Sequence, residues 1–553
     1  MASKLVSHSK DNDVSSPDPE SPRQSDDTQV ADDSRRSIDP EMEGLSLYER
    51  KALLVNRELA SQGMGRYQWA VFFLCGFGYL LDLLWAQAFG VVLAQIQQEF
   101  GFSDGQSGNL STAFSAGLTA GAFFWGFIVD IIGRYWAFNF TVAVSSVFGI
   151  CLGAPNTYNA LLVLVAFVGV GIGGNIPIDT TIVLELLPTK KLWLLPALSV
   201  FQPVGVVICS ALAFALVPSH SCAENLSPCN QVAAGQQCCT KSMNYGWRYL
   251  FFTLGAITIF VFFTRFVLFN FQESPKFLLY RGKDEKALKT LQYIAKYNKV
   301  ECHLTLEDFT NLTDDDSSIN SVDSNDSSQK GKIVLGSGDK QQDMTAKDKF
   351  KLEALRLKVL FGSWPMAWLT ICIWIIYMFD YWGFTIAGTY LPLILQREGN
   401  ELGLSLRQTY LSYIYIYVFG LPGVLLGASI YKWRQPSMFI SSALFAAMLF
   451  TFTTVKNEPS YIGVSGLVYF FQSMFNAILY GSTPEFFPAP IRGTACGIAS
   501  FWGRLFSIIA PIAAAQVLNS SRNGVLYMAG GGAIISTVFV CLLPRRYIKG
   551  QNY

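Results

Sequence analysis

The sequence predicts an all-α membrane protein with twelve transmembrane helices in two pseudo-symmetric six-helix halves. Three observations predict it. Of the 553 residues, 51% are hydrophobic and only 15% are charged, whereas soluble domains carry about 25% charged residues. Apolar runs of roughly 20 residues recur along the chain, each long enough at 1.5 Å per residue to cross about 30 Å of hydrocarbon. The first six runs and the last six also share landmarks at nearly constant spacing.

In chain order, residues 1–65 form an N-terminal tail whose first part, to about Leu47, is rich in Ser, Asp and Pro with almost no aromatics. Such a segment cannot bury enough apolar surface to offset its conformational entropy, so disorder is expected. The first half, 66–271, contains apolar runs at about 69–95, 108–129, 135–154, 160–186, 192–217 and 249–271. The linker, 272–363, is polar. At 283–297 it places Ala287, Leu288, Leu291 and Ile294 at helical spacing, the pattern of an amphipathic helix on a membrane face. At 310–342 it is dominated by Asp, Ser, Asn, Gln and Gly, and disorder is again expected. The second half, 364–545, contains runs at about 366–395, 409–431, 438–454, 461–482, 494–518 and 525–543, and 546–553 is a short tail.

The halves repeat each other. Asp82 matches Asp380, Gly126 matches Gly427, and Glu185-Leu186-Leu187-Pro188 matches Glu485-Phe486-Phe487-Pro488, all at a register of about 300 residues. Duplicated six-helix units imply a pseudo-twofold axis along the membrane normal, with a binding site between them.

Basic residues in alternate short connections, among them Arg134, Lys190, Lys191, Lys432, Arg434 and Arg492, place both termini and the linker in the cytosol. The loop holding Cys222, Cys229, Cys238 and Cys239 then faces outward. Disulfides are expected there, with three connectivities open. The same loop carries the sequon Asn225-Leu226-Ser227, a glycosylation site on that orientation. The expected localisation is the plasma membrane, with the vacuolar membrane as alternative. The net charge of +1 gives no field to recruit nucleic acid. Kinase or ubiquitin machinery acting on the cytoplasmic segments, as at Arg35-Arg36-Ser37, is the partner class those segments suggest.

Ionisable side chains inside apolar runs are the sharpest functional signal, because an unpaired charge there is costly and usually faces a cavity. Asp82, Asp179, Asp380 and Arg504 stand out, with Asn175, Asn476, Gln87 and Gln202 as neutral hydrogen-bonding groups. Tyr79, Trp85, Tyr377, Trp382 and Trp502 lie near them, either as packing or as a platform for a solute with an apolar face. The run Gly169 to Pro177 suits close helix approach and a loosened helix near midplane. The three histidines, His8, His220 and His303, all lie in polar segments. No metal-ligand spacing, nucleophile elbow or nucleotide-binding loop is present, so no enzyme, metal or cofactor is expected and energy would come from a gradient.

The chain resembles the major facilitator superfamily, and its sugar-porter-like branch in particular, with phosphate:proton symporters and synaptic-vesicle transporters as relatives. Gly126 through Asp130 to Gly133-Arg134 is similar to the family signature between helices two and three, with Ile131 where an Arg is usual. Gly246-Trp247-Arg248, Glu273-Ser274-Pro275-Lys276 and Pro484-Glu485 with Arg492-Gly493 are similar to further motifs of that branch. The resemblance implies a cytoplasmic gate built from Asp130, Arg134, Glu185, Glu485 and Arg492. The bland alternative is that these charges are solvated topology signals.

Helices four, seven, ten and eleven look most like the phosphate:proton symporters, but Asn175 and Ile176 replace a carboxylate and a phenol there, which speaks against phosphate itself. The expectation is alternating-access transport of a small polar or anionic organic solute by proton symport. Asp82 and Asp380 would carry protons, Arg504 would bind an anionic group, and Asn175, Gln202 and Asn476 would hydrogen-bond the solute. Proton-antiport efflux and a transport-derived nutrient sensor are the alternatives.

Overall fold

The computed structural model describes residues 47–544 other than 189–190, 192–193, 224–225, 234–235, 270, 313–359, 402–404, 456 and 488. The tails, the stretch expected to be disordered in the linker, and Asn225 lie outside the described residues, as do the side chains of Asp130 and Arg492.

Among the described residues, ten helices are long and apolar enough to cross a membrane. They are helix one (Arg66–Val91), four (Tyr158–Leu186), five (Leu194–His220), six (Gly246–Val267), seven (Trp364–Arg397), eight (Leu406–Ser429), nine (Tyr431–Phe452), ten (Glu458–Thr483), eleven (Ala495–Leu518) and twelve (Arg522–Cys541). Two further helices, Asn109–Ile132 and Arg134–Cys151, fill the second and third positions. Helix four breaks at Gly173-Gly174 into Tyr158–Ile172 and Asn175–Leu186, where the sequence suggests a loosened helix.

One to six pack among themselves, as do seven to twelve, and the halves meet where one faces seven, two faces eleven and five faces eight. Membrane helices lack a hydrophobic drive toward one another, so close approach and interhelical hydrogen bonds hold this seam. At one end a large cluster containing Trp85, Phe89, Tyr390, Tyr410 and Tyr413 runs through both halves. Tyr410 donates to the Val91 carbonyl at 2.9 Å and Tyr390 to the Pro511 carbonyl at 2.8 Å. Ser111 and Thr389 share a hydrogen bond of 2.8 Å. This end carries the cysteine loop, in which Cys222 pairs with Cys239 and Cys229 with Cys238. It is called the disulfide side below.

The opposite, linker side carries the amphipathic helix Asp284–Asn298 and an additional helix, Leu47–Gln62, ahead of helix one. Val55 and Leu59 pack on Leu279, Ala287, Leu288 and Leu291. The apolar face that the linker pattern exposes is therefore covered by the chain's own N-terminal helix. Asn298 then accepts from the Tyr67 N–H at 2.9 Å, fixing this unit to the start of helix one.

Candidate functional site

A cavity of about 120 Å³ lies between the halves. Asp82 and Gln87 of helix one, Gln202 of helix five, Asn476 of helix ten and Arg504 of helix eleven supply its polar wall. Gln202 hydrogen-bonds the Asp82 carboxylate, and Arg504 acts on the same carboxylate from the other half. A single cavity thus brings an acid and a base from opposite halves into electrostatic contact. Tyr381, Tyr417, Tyr469, Tyr480, Phe114 and Phe384 contribute the aromatic wall.

Of the residues singled out in sequence, Asp82, Gln202, Asn476 and Arg504 are thus brought together, and Asn175, Asp179 and Asp380 are not among the lining. Asn175 is fully buried with neither amide atom hydrogen-bonded. Asp380 is buried beside the cavity, within electrostatic reach of Tyr377, Tyr381 and Tyr480. Asp179 points into the first half, where its Oδ2 accepts from Arg265 at 3.0 Å, both side chains being fully buried. Arg265 also donates to the Leu74 and Phe138 carbonyls and stacks over the Phe138 ring at 3.9 Å. One guanidinium therefore ties helices one, three, four and six together beneath the cavity.

The aromatics near the acids in sequence mostly pack instead. Trp85 donates to Thr258 at 3.1 Å, Trp382 to the Met528 carbonyl at 3.3 Å, Tyr377 to Thr483 at 3.1 Å, and Tyr79 bonds Thr180 at 2.6 Å, while Trp502 lies 6.0 Å from the Trp374 ring. The lining tyrosines were missed because apolar spans show no polar face from which to read which aromatics turn inward. Arg265 was legible in principle, as an arginine inside an apolar run opposite an aspartate in another.

On the linker side, two ion pairs among the described residues each join partners of one half. Arg134 reaches Glu185 at 3.6 Å in the first half. In the second, Arg434 pairs with Glu485, which also accepts from Tyr431 at 2.9 Å. Arg134 opens helix three directly after Gly133, whose φ of 97° favours glycine. A Cβ there would also stand 2.4 Å from Glu273 Oε2. That carboxylate accepts the backbone N–H groups of Arg134 at 3.0 Å and Tyr135 at 3.2 Å, capping the positive end of helix three. Burial pushes the Glu273 carboxyl above its usual range, against the pull of these donors and of Arg134.

On the disulfide side, Arg397 at the end of helix seven forms a bidentate pair with Asp104, between helices one and two, at 2.6 and 3.2 Å. This pair crosses between the halves. Burial raises the Asp104 carboxyl, but hydrogen bonds from Arg397 and Gln97 outweigh it and hold it below the ordinary aspartate value. Nearby, Glu99 takes both terminal nitrogens of Arg248 at 2.6 and 2.7 Å and the Trp247 N–H at 2.9 Å, which accounts for the Gly246-Trp247-Arg248 motif.

Two six-helix halves, joined on one side and enclosing a polar cavity at their seam, define a secondary transporter that works by alternating access. Comparison with known proteins agrees. The family model described as Major Facilitator Superfamily matches residues 69–511, and the chain belongs to that family. It is 33% identical over 503 residues to MFS siderochrome iron transporter 1 of Ceriporiopsis subvermispora, covering 90% of this chain and 91% of that one. It is 24% identical over 513 residues to organic cation/carnitine transporter 7 of Arabidopsis thaliana, covering 89% and 94%. The xylose transporter XylE of E. coli, in a partially occluded inward open conformation, superimposes with a TM-score of 0.60 at 15% identity, over 88% of this chain and 100% of that structure.

Proposed function

We propose that the protein is a proton-coupled symporter for a small anionic organic solute, lying in the plasma membrane with its termini in the cytosol. The single observation that carries this reading is that Asp82 and Arg504, from opposite halves, line the same cavity, with the guanidinium acting electrostatically on the carboxylate. While Asp82 is ionised, it competes with the solute for the guanidinium. A proton arriving on Asp82 removes that competitor, and Arg504 then offers its planar fork to a carboxylate or phosphate. When the solute leaves, Arg504 draws Asp82 back to its ionised form and the proton is released. Solute and proton thus load together and unload together.

The aromatic wall suits a compact solute with an apolar face, with Gln202 and Asn476 as hydrogen-bonding groups. In this reading Asp380 is a second proton site that acts through the adjacent Tyr381, and Asp179 and Asn175 lie outside the solute site. Release of the Asp104 to Arg397 pair opens the disulfide side, while Arg134, Glu185, Arg434 and Glu485 keep the inner ends of the two halves in order, with Asp130 and Arg492 completing that gate. On the proposed orientation the disulfide loop is extracellular and Asn225 is its glycan site. The siderochrome named for one relative is a candidate solute alongside simple organic acids.

Uptake into proteoliposomes under imposed pH gradients of both signs tests the reading. Solute should accumulate with inward-directed protons. Asp82→Asn should abolish accumulation while leaving solute exchange intact, and Arg504→Gln should abolish both. Accumulation with an outward-directed proton gradient would establish antiport instead. Transport that ignores the pH gradient in the unaltered protein would overturn proton coupling.

A further inference from the structure

The cavity between the halves has a second polar end. Gln87 of helix one and Gln472 of helix ten both belong to its wall and are more than nine-tenths buried, at 6% and 4% exposed. The amide nitrogen of each has no hydrogen-bond partner. Both side chains flank one aromatic pair. Tyr417 hydrogen-bonds the Gln87 side chain, its ring lies 5.0 Å from that of Tyr469, and Gln472 follows Tyr469 by three residues on one face of helix ten. Gln87 is five residues beyond Asp82, so this end of the cavity lies roughly 7–8 Å further along helix one, toward the disulfide side.

A buried donor left without an acceptor carries its full desolvation cost. Two such donors, from opposite halves on one cavity, define the group that would relieve them. The rest of the polar wall is already engaged: Gln202 bonds Asp82, Tyr381 bonds Tyr480, Ser111 bonds Thr389, Tyr469 bonds Ser473, and Asn476 has a partner of its own. The relieving group must accept twice. A carbonyl oxygen has two lone pairs and no hydrogen of its own. A hydroxyl or an ammonium would bring further donors to an end that already has donors in excess. A second carboxylate would need a counter-charge, and Arg504, the one cation of the wall among the described residues, acts at the Asp82 end.

We infer that the solute is a carboxylate bearing a neutral carbonyl, a keto acid or an acid ester, whose carbonyl oxygen is bound by the Gln87 and Gln472 amides while its carboxylate lies at Arg504. The inference rests on the anionic reading proposed above and adds the far end of the solute to it. Because the two amides belong to opposite halves, a carbonyl held between them also joins helix one to helix ten. An unsubstituted acid of the same length leaves both donors unpaired.

The test is equilibrium binding of matched acids to the full chain in a neutral detergent: levulinate against valerate, and monomethyl adipate against enanthate, with adipate and ε-aminocaproate as the charged alternatives. Levulinate or monomethyl adipate should bind about 30-fold more tightly than its alkyl counterpart, from two neutral hydrogen bonds at roughly fivefold each. In Gln87→Met or Gln472→Met the preference should fall to about fivefold, and in the double variant it should vanish. Methionine keeps the length of glutamine without its amide, and an unaltered melting temperature verifies the fold. Where methionine lowers that temperature, Gln87→Glu and Gln472→Glu, which keep the shape of glutamine, should reduce the preference likewise. Equal binding within both pairs, or a preference undiminished in the variants, would overturn the inference. So would tighter binding of adipate or ε-aminocaproate than of monomethyl adipate, which would make this end a site for charge. Arg504→Gln separates the two readings: loss of all the acids supports the place of the carboxylate, whereas undiminished affinity with the carbonyl preference intact would overturn the anionic reading and leave the Gln87 and Gln472 subsite standing. If none of the acids binds the unaltered chain, both readings fall.

Discussion

Removing one partner of the Asp179 to Arg265 pair should destabilise the first half more than any other single polar change. Both side chains are fully buried, so Asp179→Asn would leave a guanidinium with only neutral carbonyls from Leu74 and Phe138. Breaking a buried pair from one side costs about 3–5 kcal/mol, because the surviving charge keeps its desolvation penalty and loses its counter-charge. Arg265→Gln should cost a similar amount by stranding the carboxylate, whose Oδ1 already has no hydrogen-bond donor. The double variant removes both charges and should cost less than the two single losses together, giving a coupling of roughly 2 kcal/mol or more.

Gly78→Ala attacks the same point without changing charge. A Cβ there would stand 1.7 Å from Asp179 Oδ2 and 2.5 Å from Arg265 Nη2, so the pair must move. Overpacking of this kind costs about 1–3 kcal/mol. Reversible unfolding by graded SDS in mixed micelles measures all four variants. Single variants within about 0.5 kcal/mol of the unaltered protein, with an additive double variant, would refute the structural role. Asp179→Asn that folds normally but loses proton-driven accumulation would return Asp179 to the proton path.

Arg397→Gln should favour opening of the disulfide side, but by only about 0.5–1 kcal/mol, since both partners are about one third exposed; faster thiol labelling of Thr389→Cys from that side would register it. Because the Asp104 carboxyl is held below its ordinary value, the pair's contribution is complete above about pH 3.8. It should be lost only as pH falls through the still lower folded value, so labelling rates should be flat from pH 5 to 8 and should rise only in stronger acid. Replacing Cys222 and Cys239 by Ser opens a bridge spanning 17 residues and should cost roughly 3 kcal/mol of loop stability; limited proteolysis should cut the loop while transport persists. Tyr480→Ala should raise the KM of an aromatic solute by about tenfold, the loss of roughly 1–1.5 kcal/mol of ring contact, and should leave a purely aliphatic acid nearly unaffected.

Lipid makes the architecture legible in the chain itself. Only continuous apolar runs can span it, so the spans and the duplicated halves can be read from periodicity and spacing, and Asp82, Gln202, Asn476 and Arg504 stand out as polar groups where polar groups are expensive. What lipid does not encode is which way each residue faces. In a helix apolar all round, Asp82 and Asp179 look alike, yet one borders the cavity and the other is held by Arg265. Trp85 and Tyr381 look alike too, although one is core and the other lining. The same blindness covers contacts between segments distant in sequence. Asp104 meets Arg397, and the Leu47–Gln62 helix covers the linker helix, only because the bundle closes around them. Those placements depend on helix rotation and packing against neighbours, quantities that a one-dimensional pattern of polarity does not contain and that folding in three dimensions decides.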